Sequence, residues 1–159
     1  MHRPKAQCLL LRARVLSSLR GADATDIADA YRMAIEAYEK MRSEPNVCVV
    51  QAAFADHLRQ RGELAPAKRL VDGVMAHLEH GMSLAGTGDG ELARLQCQRV
   101  LAAAEDVRAA PLLASLQEEM SAIVARFADI AMRERFLDAA PWRREILATR
   151  RAGQCLSMG

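Results

Sequence analysis

Apolar side chains recur every three to four residues along almost the whole chain, in runs separated by short polar or glycine-containing joints. In the first run Leu9, Leu11, Val15, Leu16 and Leu19 make a wide apolar face. The spacing predicts a helix from about Pro4 to Leu19, with proline in its first turn and Gly21 ending it. Ile27, Tyr31, Ala34, Ile35 and Tyr38 predict a second helix, about Asp26 to Arg42, which Asp23 or Thr25 can cap. The segment SEPN reads as a break, because Pro45 restricts the residue before it. Val50, Phe54 and Leu58 share one stripe of a third helix, about Val47 to Arg61, stopped by Gly62. Leu70, Val74 and Leu78 mark a fourth, about Ala65 to His80. Gly73 inside it costs about 1 kcal/mol relative to alanine, and leaves room for a neighbouring helix to come close.

The stretch GMSLAGTGDG carries four glycines and is the longest irregular segment. A fifth helix is expected from about Glu91 to Glu105 and a sixth from about Pro111 to Ile130. A short element, AMRERFLDA, follows after a bend, and Pro141 opens a last helix, PWRREILATRR, before the tail GQCLSMG frays. No alternating strand pattern occurs, so the fold class is all-α. Such helices bury their apolar faces either in a closed bundle or in a stacked array of hairpins.

Composition narrows the functions open to such a chain. Its 159 residues suit one domain, and 51% hydrophobic content supplies a core. Twenty-two basic and 20 acidic side chains leave a formal charge of +2, too little to draw nucleic acid or an anionic membrane strongly. Cys8, Cys48, Cys97 and Cys155 are widely separated, without a CxxC pair, which favours reduced thiols and a cytoplasmic protein. Arg12 and Arg14 interrupt the apolar run near the N-terminus, unlike a signal peptide, and no window reaches the roughly 20 apolar residues of a membrane span.

The run FADHLRQRGELAPAKRLVDGV is more specific. Bulky Phe54 stands beside small Ala55, then come Leu58, Gly62 at the turn, and Ala67, Val71 and Val74 in the next helix. This resembles the tetratricopeptide repeat, where a small residue lets two helices cross closely. Ile27, Tyr31 and Ala34, preceded by Gly21, look like a second copy. Glu105 and Asp106 at a turn, with Ala110 at the small position, look like a third. The spacings, 40 residues from 27 to 67 and 43 from 67 to 110, exceed the usual repeat of about 34, and the hallmark tryptophan is missing. Further on, ADIAMRERFLDAAPWRREILA is similar to the closing helices of repeat regions in large bacterial signalling ATPases and transcriptional regulators. Arg133, Phe136, Leu137, Pro141, Arg144, Ile146 and Leu147 carry that likeness, which implies a capping hairpin. The ATPase and DNA-binding parts have no counterpart.

The resemblance implies about three stacked antiparallel hairpins, near 4–42, 47–80 and 91–130, and a cap near 131–152. It implies a scaffold or signalling adaptor that binds a protein or peptide in a helical groove. The first helix of each pair would line that groove, placing Val49, Ala52, Asp56, Arg59 and Gln60 there, with Arg12 from the first helix. A homodimer through an exposed end of the array is also expected of so short a stack. The competing class is a small helical-bundle enzyme or carrier with an internal pocket.

Catalytic and cofactor chemistry finds little footing. GTGDG lacks the lysine and preceding strand of a phosphate loop. His77 and His80 lack further metal ligands, and Cys48 or Cys97 with His57 has no favouring spacing. Glu118 and Glu119 diverge on their helix. Arg143, Arg144, Arg150 and Arg151 form a small basic patch, with Trp142 as its one stacking residue, which is thin for nucleic acid. The expectation is a protein without catalytic activity, cofactor, metal or membrane partner.

Overall fold

A computed structural model describes residues 3–19 and 21–149. Among them run eight helices: α1 (Arg3–Ser18), α2 (Ala24–Lys40), α3 (Glu44–Gln60), α4 (Leu64–Glu79), α5 (Gly90–Ala103), α6 (Ala109–Ala125), α7 (Ile130–Asp138) and α8 (Pro141–Ala148). The described residues contain no strand.

The ends of α2, α3, α4 and α5 share one geometry. After α3, the Gly62 N–H donates to Arg59 O at 2.9 Å and the Glu63 N–H to Leu58 O at 2.9 Å, with Gly62 left-handed at φ 80°. This pair of bonds is the Schellman closure, which satisfies the carbonyls a helix end leaves open. After α5, the Glu105 N–H donates to Ala102 O and the Asp106 N–H to Leu101 O, and Glu105 is left-handed at φ 53°. A side chain there costs roughly 1–2 kcal/mol that glycine avoids, part of which glycine returns as unfolded-state entropy. Glu105→Gly is therefore expected to raise stability by about 1 kcal/mol, read as a higher midpoint in urea with unchanged slope.

The helices pair as α1–α2, α3–α4 and α5–α6, and these hairpins stack in chain order. Each joint is made chiefly by the first helix of a pair. α3 packs on α2 and broadly on α5, and it touches α1; α2 and α4 share no comparable seam. The first helices α1, α3 and α5 thus lie on one side of the array, here the inner side, with α2, α4 and α6 on the outer. Arg14 of α1 even reaches past the second hairpin to Asp89, just ahead of α5, at 3.0 Å. Small residues make the close approaches: Ala34, Ala52, Ala55, Ala67 and Ala93 are wholly buried. On the outer side, Arg108 and Lys68 bind Asp72 and Asp106 and tie α4 to the turn before α6. Those cations and the Arg108 N–H hold the Asp106 carboxyl well below the usual range.

Three local expectations need correction. Pro45 opens α3 instead of breaking the chain; it sits in the first turn, where the missing N–H costs nothing. In the third repeat the buried small residue is Ala109, followed by Leu113 and Leu116, whereas Ala110 is exposed. That series matches Ala67, Val71 and Val74, and Ile27, Tyr31 and Ala34, all of them buried. Gly73 serves no close helix crossing: a Cβ there would meet only Gln51 Oε1, at 3.9 Å.

The last two helices cap the stack. Asp129 accepts from the Ala131 N–H at 2.8 Å and starts α7 after a break at 126–129 that splits the expected sixth helix. Phe127 meets Phe136 at 5.1 Å, and the Arg143 guanidinium lies 4.1 Å over the Phe136 ring. Ile146 of α8 is fully buried and Trp142 packs partly buried against the core.

Candidate functional site

The inner wall is occupied by the protein itself. Val49 and Ala52 are 2% and 0% exposed, so these two positions offer no surface to a partner. Close packing of α3 against its neighbours on both sides is the cause. Asp56, Arg59 and Gln60 do come together, in a clasp that also includes Arg99 and Glu145. Asp56, itself buried, accepts from Arg59 Nε at 2.8 Å, Gln60 Nε2 at 3.3 Å and an Arg99 terminal nitrogen at 3.0 Å. Arg99 forks onward to Glu145 of α8, with its Nε 2.8 Å from Oε1 and a second, shorter bond to Oε2. Glu145 and Asp56 both favour the charged guanidinium, raising the Arg99 pKa above its ordinary value. These five residues hold α3, α5 and the cap together. Arg12 lies apart from them, exposed on α1.

An open site lies on the outer side, where α2 and α4 stand apart. The gap between them is a cleft of about 480 Å³, with the C-terminal half of α3 as its floor. Phe54 and Leu58 form the apolar base, and Phe54 stacks on Tyr31 at a centroid distance of 5.0 Å. Arg32 comes from α2, Arg61 from the turn after α3, and Arg69 from α4. Glu63 is the single carboxylate on the rim. Arg61 Nε lies 2.9 Å from Glu63, and Arg32 2.8 Å from Asp29 beside the cleft. Arg69 is exposed and has no carboxylate partner among the described residues. His57 lines the same wall; burial first, and then the nearby Arg61 charge, push its pKa below the ordinary value. The ring is therefore largely neutral at neutral pH and adds a hydrogen-bonding group without adding charge. A guanidinium rim over an aliphatic and aromatic floor suits a carboxylate-bearing ligand with an apolar anchor.

Nothing in the order of residues announces this cleft. Its parts come from α2, α3 and α4, and its arginines stand at positions that read singly as solvated helix surface. The nearest signal was Phe54 itself, one of three phenylalanines in the chain.

The other chemical candidates are placed elsewhere. His77 is turned inward and its Nδ1 lies 4.0 Å from Glu44, while the exposed His80 Nδ1 lies 2.6 Å from Ala76 O. No group of three metal-ligating side chains is found among the described residues. Burial pushes the Cys97 thiol up to about 12 and the Cys48 thiol to about 11, so neither carries appreciable thiolate at neutral pH. Arg143 donates to Phe136 O at 2.7 Å, and Arg144 binds Glu134 and Asp138, both at 2.7 Å. Arg150, Arg151 and Cys155 lie outside the described residues. Among the described residues no helix is long and apolar enough to cross a membrane. No protein-family model matches the sequence, and neither the curated proteins nor the solved structures give a significant match.

Proposed function

We propose that this chain is a protein-interaction module that binds an acidic segment of another protein across the cleft between α2 and α4. The observation that carries the reading is the rim of Arg32, Arg61 and Arg69 over Phe54, in which Asp29 and Glu63 offset two of the three guanidiniums and Arg69 has no carboxylate partner among the described residues. A peptide would seat an apolar side chain on Phe54 and Leu58 and aim carboxylates at the guanidiniums. Such charge-assisted forks contribute about 1.5–3 kcal/mol each where they are shielded from water. The stacked hairpins and the tetratricopeptide-like pattern around Phe54, Ala55 and Gly62 support the same reading. So does the absorption of Asp56, the one buried carboxylate among the described residues, into the chain's own clasp, which leaves it no role in an interior catalytic pocket.

Selection of a random-peptide display library on the purified protein tests this. Enriched sequences are expected to carry Asp or Glu on either side of an aliphatic or aromatic residue. Arg69→Glu, an exposed change, is expected to weaken the best peptide about tenfold, equivalent to about 1.4 kcal/mol, with an unaltered thermal midpoint. Basic consensus sequences, or acidic ones indifferent to both Arg69→Glu and Arg32→Glu, would overturn the proposal.

A further inference from the structure

The first helix of the array is covered on one side only. Ala6, Leu10 and Ala13 face the core and are buried. On the opposite side Leu11, Val15 and Leu19 are 57%, 55% and 55% exposed, and Cys8, also exposed, continues the row. Positions 8, 11, 15 and 19 are three, four and four residues apart, a spacing that keeps them on one side of a helix. Scattered exposed aliphatic residues are ordinary on a protein surface, whereas a row along successive turns of one helix marks a contact surface.

Charge decides what fits it. α1, RPKAQCLLLRARVLSS, contains no acidic residue. Lys5 and Arg12 stand on the exposed side, without carboxylate partners among the described residues, while Arg14 is committed to Asp89 on another side. A second copy would bring cations toward cations and supply no carboxylate. A lipid surface favours a broader apolar face with aromatic anchors, and this side of α1 has neither. We propose that this face docks an acidic amphipathic helix from a partner protein, its aliphatic side chains seated on Leu11, Val15 and Leu19 and its carboxylates paired with Lys5 and Arg12. The surface is separate from the cleft over Phe54 and stands or falls independently of it.

Cys8 is a built-in reporter, because Cys48 and Cys97 are buried. In the full chain carrying Cys155→Ser, maleimide modification of Cys8 would be timed in the presence of synthetic helical peptides. One peptide has leucine at seam positions and glutamate elsewhere; its counterpart has lysine for glutamate. Saturating glutamate peptide is expected to slow modification about tenfold, a change of about 1.4 kcal/mol in exposure of the thiol. Val15→Glu should abolish the protection without altering the thermal midpoint, and added salt should weaken it. Four results would overturn the proposal. They are no protection, equal protection by the lysine peptide, protection by phosphatidylserine vesicles but not by peptide, and a sedimenting dimer that shields Cys8 without any peptide.

Discussion

Phe54→Ala is expected to destabilise the protein by about 3–4 kcal/mol, the usual loss for emptying a packed aromatic site. Phe54 is 7% exposed and stacks on Tyr31 with their planes 16° apart. Tyr31 belongs to the first hairpin and Phe54 to the second, so the substitution empties the joint between two repeats. Joints of this kind carry much of the stability of a stacked array, because each hairpin buries its face only against its neighbours. Urea unfolding should show the loss. Hydrogen exchange should show where it falls, with amides of α1 and α2 losing protection before those of α5 and α6. Phe54→Leu, which keeps most of the volume, should recover about half. A loss below about 1 kcal/mol would mean that the first hairpin holds on by other contacts.

Asp56→Ala is the second large effect, expected at about 2–3 kcal/mol. Removing one member of a buried ion network strands its partners, and such losses reach roughly 3–5 kcal/mol when all members are buried. Here the Arg59 and Arg99 side chains remain 29% and 25% exposed, so water recovers part of the cost. Asp56→Asn keeps the shape and some hydrogen bonds while losing the charge, and should fall between wild type and alanine. The clasp also predicts non-additivity. Glu145→Gln combined with Asp56→Ala should cost less than the two single changes together, since both act on Arg99. Strict additivity would show that Asp56 and Glu145 act separately.

Much of this architecture is legible in the order of residues, because helices are local. Apolar spacing marks α1 to α6, and Gly21 and Gly62 mark where two of them end. Errors arise where local signals are ambiguous. Pro45 is compatible with both a break and a first turn, and only the partners of α3 decide between them. Ala109 and Ala110 are identical neighbours, so the register of the third repeat depends on which one meets α5. Val49, Ala52 and Asp56 do share a helix face, as their spacing predicts. Spacing cannot say that this face looks inward, because α3 is the middle helix and is buried almost all round. The cleft was least legible of all. It exists because two helices fail to meet, and a gap between distant segments leaves no periodic trace.

That failure to meet has a mechanical side. With α2 and α4 both packed on α3 and apart from each other, the two outer helices rest on a common layer made by α3 and α5. Whatever wedges α2 away from α4 must flex that layer about α3. The strain then runs along α3 to Asp56 and through Arg99 into α8, so occupancy on the outer side would be felt at the far end of the molecule.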